Sequence, residues 1–99
     1  MEPDYEILKD TVLYIFRKRK TAFLMTETVL KEMRFQKEIL PKEDKERLDH
    51  LLERMREGGL VTLNQPKFAA LTGEGKEEAE KITGDRAVQV EKDMARRLI

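Results

Sequence analysis

Near the start of the chain, apolar residues recur every three or four positions, which is the spacing of one face of an α-helix. The stripe consists of Tyr5, Leu8, Val12, Ile15 and Phe16. It predicts a first helix over about 5–18. The cations of 17–20 follow at its end, where they suit the negative pole of the helix dipole. The apolar segment 21–25 is either a linker or a small strand.

Similar spacing predicts two more helices. Thr26 is expected to cap the second, which starts at about residue 27 and whose inward residues are Val29, Leu30 and Met33. Residues 34–40 either prolong this helix or form a loop. The third helix begins at Pro41, a favoured first residue, and Gly58 is expected to end it as a left-handed cap. Its buried stripe consists of Leu48, Leu51, Leu52 and Met55.

A short β-hairpin is predicted after the third helix, because two apolar segments, 60–63 and 68–71, flank a turn at 64–67. Thr72 is expected to cap a fourth helix over about 73–82, and Asp85 a fifth over about 86–98. One side of the fifth helix carries Ala87, Val90, Met94 and Leu98.

Length and charge limit the classes of protein to which the chain can belong. The 99 residues suit a single domain, 1–99, and their 20 Lys and Arg residues balance 20 Asp and Glu residues. Charged residues make up 40% of the chain, against about 25% in ordinary domains. Since the net charge is zero and the apolar pattern is periodic, we interpret the charges as solvated helix faces rather than disorder.

The sequence favours neither a membrane protein nor an enzyme. No apolar run approaches the roughly 20 residues of a membrane span, and the acidic start lacks signal-peptide features, so a cytoplasmic protein is expected. With no cysteine, no serine and one histidine, no nucleophile and base are evident, and no cofactor is expected. Glu46, His50 and Glu53 have spacing that could hold a divalent cation, but glutamate-rich helices produce it by chance, so no metal site is predicted.

Two segments resemble the winged helix-turn-helix domains of small MarR-like and PadR-like regulators. Residues 48–61 resemble the end of the recognition helix and the start of the wing, and 68–75 resemble the returning strand with its Leu-Thr-x-x-Gly signature. The resemblance covers about 5–82. It implies a mainly α fold with a small β-hairpin, in which a three-helix core carries a wing and additional C-terminal helices.

That resemblance implies a regulator that binds double-stranded DNA, with the third helix in the major groove and the wing on the backbone. Candidate DNA contacts are the cations and hydroxyls at the end of the first helix, along the second and third helices and in the wing. They are Arg17, Lys18, Arg19, Lys20, Thr26, Thr28, Lys31, Lys42, Lys45, Arg47 and Lys67.

The outward face of the third helix favours a different partner. Its centre is acidic, and DNA phosphates repel such a face. The alternative is therefore a protein-interaction domain that binds a basic protein. The residues of that face are Glu43, Glu46, His50, Glu53 and Glu57.

The last helix raises the question of oligomeric state. A terminal amphipathic helix over about 85–99 needs a surface to cover, either its own core or a second copy. By resemblance to regulators that dimerise through terminal helices, a homodimer through Ala87, Val90, Met94 and Leu98 is expected, and packing within the monomer is the alternative.

Overall fold

The computed structural model describes residues 5–34, 42–64 and 67–95, with the backbone alone described at Arg34 and at 42–44. The elements are α1 (Tyr5–Lys18), β1 (Phe23–Met25), α2 (Thr26–Arg34), α3 (Lys42–Glu57), β2 (Val61–Asn64), β3 (Phe68–Leu71), α4 (Gly73–Glu80) and α5 (Gly84–Ala95). The mainly helical class with a small β-component is confirmed. No helix in these ranges is long and apolar enough to cross a membrane.

The sheet has three antiparallel strands rather than the hairpin alone, because segment 21–25 contains β1. The strand order is β1-β3-β2, so β3 is central. Leu24 pairs with Ala69, which pairs with Leu63, and this row faces the core. Because side chains alternate along a strand, the rows on either side of it face outward.

The core is centred on α1. Six consecutive residues of this helix, from Thr11 to Phe16, are buried, and α1 contacts each of the other helices. Phe16, Met33 and Met55, from three different helices, are all fully buried. Burying a large apolar side chain stabilises a fold by about 1.5–3 kcal/mol. The residues expected to form the inward stripes of the first three helices are buried or half-buried.

The predicted cap at Gly58 is wrong by one residue. Gly59 has the positive φ, +81°, and Gly58 precedes it as the last residue of the helical turn. The amide of Leu60 donates to the Met55 carbonyl and that of Gly59 to the Arg56 carbonyl, both at 3.0 Å. These two bonds form a Schellman motif, in which the left-handed residue is the one after the cap.

Several other boundaries within the described residues differ from the predicted ones by one or two residues. Thr26 is the first residue of α2, and its amide donates to the Lys67 carbonyl at 3.0 Å. Gly84 begins α5, one residue before the predicted cap at Asp85. Thr72 caps α4 as expected, since its hydroxyl accepts from the Gly75 amide at 3.0 Å. Leu98, Pro41 and segment 35–40 lie outside the described residues.

The described part of α5 packs against α1 of its own chain. Val90 is buried, and Ala87 and Met94 are half-buried against the core. At its N-terminal end, Arg86 makes two hydrogen bonds to the Asp10 carboxylate, at 2.7 and 3.2 Å. The side of α5 that the sequence offers for dimerisation thus covers the monomer core, and the homodimer stays a prediction.

A second link between α1 and α5 makes stability depend on pH. The Tyr14 hydroxyl donates to the Glu91 carboxylate, and this bond raises the pKa of Tyr14 above its ordinary value of 10.0. The folded state therefore holds the phenol proton more tightly than the unfolded state. The contribution of this hydrogen bond to the free energy of unfolding is complete below pH 10.0 and is lost as the pH rises through the raised pKa.

We therefore expect Tyr14→Phe to lower the free energy of unfolding by about 1 kcal/mol at pH 8. The difference between wild type and variant should shrink when urea denaturation is repeated between pH 10 and 11. Lys9, whose pKa Glu6 also raises, titrates equally in both proteins and cancels in the comparison. A difference that stays constant with pH would show that this bond does not form in solution.

Candidate functional site

The candidate DNA contacts do not form one patch but fall into separate groups. The first group lies around a groove. This groove, here the end groove, lies where the starts of α2 and β3 meet α3, and has a volume of about 430 Å³. Thr26 of α2, Lys45 of α3 and Lys67 of the hairpin turn line it. The other lining residues are Met25, Glu27, Leu30, Leu48, Asp49 and Phe68.

The end groove combines an apolar lining with charged residues of both signs. Leu30 and Leu48 are buried side chains beneath it, and Lys45 and Lys67 are exposed. Neither lysine makes a hydrogen bond or ion pair through its side chain among the described residues. Two cations and two anions thus line the groove, and the positive pair is available to a ligand.

A second group lies at the opposite end of β1, after the C-terminus of α1. Arg17 and Lys20 line a shallow depression of about 260 Å³, together with Lys76 and Glu80 of α4. Lys18 is exposed nearby. Arg19 instead makes a 2.6 Å ion pair with Glu32 of α2. The four consecutive cations therefore do not act as one surface.

The remaining candidate contacts lie on α2 and α3. Lys31 and Arg47 are exposed, whereas Thr28 is half-buried. The side chain of Lys42 lies outside the described part of the structure. Spacing along the sequence could not reveal this division, because it depends on how the helices pack and on which acid each cation meets.

The acidic face of α3 is less negative than its sequence indicates. Glu46, His50, Glu53 and Glu57 are exposed, and the side chain of Glu43 is not among those described. Arg56 makes two hydrogen bonds to one Glu53 oxygen, at 2.9 and 2.6 Å, and this raises the pKa of Arg56. No three acidic or histidine side chains in the described ranges form a group that could hold a metal ion.

Sequence reasoning missed the outward face of the sheet. Two rows of paired residues form it, and each row runs across all three strands. One row contains Ala70 of the central strand, and the other contains Phe68. We call this surface the outer sheet face, and its residues are Phe23, Met25, Thr62, Asn64, Phe68 and Ala70. None is charged, in a chain with 40% charged residues. The sequence of 23–25 carries no signal for this face, because Phe23, Leu24 and Met25 are all apolar and only the strand pairing shows which of them face outward.

Two aromatic rings dominate the outer sheet face. The rings of Phe23 and Phe68 are stacked, with centroids 4.6 Å apart and planes inclined by 15°. Phe23 remains 50% exposed and Met25 47% exposed. Large apolar side chains exposed side by side are typical of binding surfaces.

Comparison of the chain with known protein families, curated proteins and solved structures found no match.

Proposed function

We propose that the chain is a winged helix-turn-helix domain that binds double-stranded DNA, as a small regulator of transcription. The order of α1, α2, α3 and the β2–β3 hairpin agrees with the order expected from the sequence resemblance. In this proposal α3 approaches the major groove, and the hairpin is the wing.

The convergence of cations at the end groove carries the proposal. Lys45 of α3 and Lys67 of the hairpin turn line the same groove as Thr26 at the start of α2. Both lysines lack side-chain partners among the described residues, so phosphates can bind them without breaking an ion pair. The Glu53–Arg56 pair also reduces the repulsion between α3 and DNA.

The remaining acids limit the affinity. Glu27 and Asp49 line the same groove as the two lysines and repel phosphate. We therefore expect weak binding that depends on salt. Each phosphate contact contributes about 0.9 to the slope of log affinity against log salt concentration.

Fluorescence anisotropy with a mixed-sequence duplex, titrated from low to physiological salt, tests this proposal. The double variant Lys45→Glu with Lys67→Glu should bind at least about 10-fold more weakly at low salt, and its salt slope should fall by about 2. Lys92→Glu is the control for reversal of one charge, because Lys92 is an exposed lysine on α5 that lines neither groove. Its affinity should stay close to that of wild type.

Two results would overturn the DNA proposal. One is a loss of log affinity in Lys92→Glu of half that in the double variant or more, which would show a general charge effect, because the double variant reverses two charges and the control one. The other is no binding by wild type even at low salt, since non-specific affinity accompanies duplex recognition.

The second candidate function is binding of a protein partner, and the apolar lining of the end groove favours it. Met25, Leu30, Leu48 and Phe68 could accept an apolar side chain, and the exposed acids of α3 continue the surface. Interfaces commonly combine such an apolar centre with a charged rim. A wild type that fails to bind duplex at low salt would leave this candidate as the better proposal.

A further inference from the structure

The outer sheet face differs from the rest of the molecule in having no charge. Phe23 and Met25 are exposed there, and Phe68 is half-buried, although the chain has ample charged residues. The face reaches the end groove at Met25 and Phe68, but its most exposed ring, Phe23, lines neither groove. Its ligand therefore need not be the duplex.

The stacked rings offer a platform for a further planar group. Phe68 occupies one side of the Phe23 ring, and the 50% exposure of Phe23 leaves ring surface open. A nucleobase can extend this stack whatever its identity, because every base has a flat π-face. Thr62 and Asn64 are exposed on β2, on the other side of β3 from Phe23, and add a hydroxyl and an amide to the same face. These groups can bond to the edge of a base.

Cations flank the platform along the chain. Lys20 precedes Phe23 by three residues, and Lys67 precedes Phe68 directly. Both are exposed, and neither side chain has a partner among the described residues. The β1–β3 pair ends in two further backbone hydrogen bonds, which the carbonyls of Ala22 and Lys67 accept. Lys67 therefore lies at one end of the pair, and Lys20, two residues before Ala22, lies near the other.

The backbone of these two lysines is unusual. Within the described ranges, Lys20 and Lys67 are the only residues other than glycine with positive φ, 55° and 67°. After α1, the amides of Lys20 and Thr21 donate to the carbonyls of Arg17 and Phe16. This is the same Schellman pattern that Gly59 and Leu60 form after α3. Glycine adopts this conformation without strain, and strained residues cluster at functional sites. At Lys20 this conformation belongs to the end of α1 and sets where the chain turns toward β1.

We propose that the outer sheet face binds single-stranded nucleic acid, with an unpaired base stacked on Phe23 and neighbouring phosphates on Lys20 and Lys67. Sheets that display aromatic rings bind single strands in this way. Duplex bases cannot reach the rings, because they are already stacked and paired. Glu27 and Glu80, which line the depressions at either end of β1, keep the affinity moderate.

The test uses fluorescein-labelled 12-nucleotide single strands of mixed sequence, as DNA and as RNA, at low salt. Phe23→Ala should lower single-strand affinity by about 10-fold or more, while Phe23→Tyr, which keeps the ring, should bind like wild type. Val88→Ala is the matched control, because Val88 is 52% exposed on α5. A preference for DNA or RNA would identify the natural strand, since stacking serves both.

Failure here is distinguishable from failure of the duplex proposal. Phe23 lines neither groove, so Phe23→Ala should leave duplex affinity unchanged. Absence of single-strand binding by wild type, or equal affinities of Phe23→Ala and Val88→Ala, would overturn the proposal. So would an equal loss of duplex and single-strand binding in Phe23→Ala. Thermal unfolding of each variant verifies that the exposed substitutions leave the fold intact.

Discussion

Gly75→Ala should lower the free energy of unfolding by about 3 kcal/mol or more, because the added methyl has no room. A Cβ at this position would lie 2.0 Å from the Leu60 carbonyl oxygen and 3.2 Å from Leu71 Cδ2. The carbonyl cannot move freely, since it accepts the Thr72 amide at 3.0 Å. The clash would push α4 away from Leu60, which lies between α3 and β2.

Gly73 offers a matched control in the same helix. A Cβ there meets nothing within 4 Å, and its φ is not positive. Gly73→Ala should therefore change stability by less than about 1 kcal/mol, with a gain expected because alanine favours helix. Urea denaturation followed by circular dichroism compares the two variants. Equal midpoints would show that α4 does not sit against Leu60 as described.

Val90→Asp should destabilise the chain by about 3 kcal/mol or more. Val90 is 3% exposed and packs in the core beneath α5, where a carboxylate would lose its hydration without gaining a partner cation. Val88→Asp, two residues earlier on the same helix, is the control. Since Val88 is 52% exposed, its substitution should cost less than about 0.5 kcal/mol.

The same pair of variants tests where α5 packs. If the predicted homodimer used the Val90 side of the helix, Val90→Asp would lower the sedimentation coefficient and leave a folded monomer. Packing within the chain, as described, instead predicts a large shift of the urea midpoint at any protein concentration. Sedimentation velocity beside the denaturation curves separates the two outcomes.

Local rules predicted much of the fold. The apolar stripe of the first helix and the cations at its end gave bounds of 5–18, which the structure confirms. The cap at Thr72 followed from a single hydroxyl before a helical segment. Gly58 and Gly59 were harder to separate, because the left-handed residue depends on where the last helical hydrogen bond forms. That position is fixed by how α3 meets β2.

The candidate site was less predictable, because it depends on contacts between distant segments. Cations could be found by inspection, but the sequence did not show that Arg19 pairs with Glu32 of α2. The Glu53–Arg56 pair is different, because its spacing of three residues on one helix is a local pattern that the sequence contains. The stack of Phe23 and Phe68 required the β1–β3 pairing. A three-residue strand carries too short an alternation to predict its partner or its exposed face.

The central position of β3 also sets the order in which this protein can fold during synthesis. β1 has its ladder partner only in β3, which the ribosome adds some 40 residues later. A nascent chain that ends before Phe68 can form local helices, but it leaves the backbone of β1 without a sheet. Closing this long loop is entropically costly, whereas the β2–β3 hairpin closes over a short turn, so β1 should join the hairpin late. Release of the hairpin from the exit tunnel is then the step that commits the domain to its native topology.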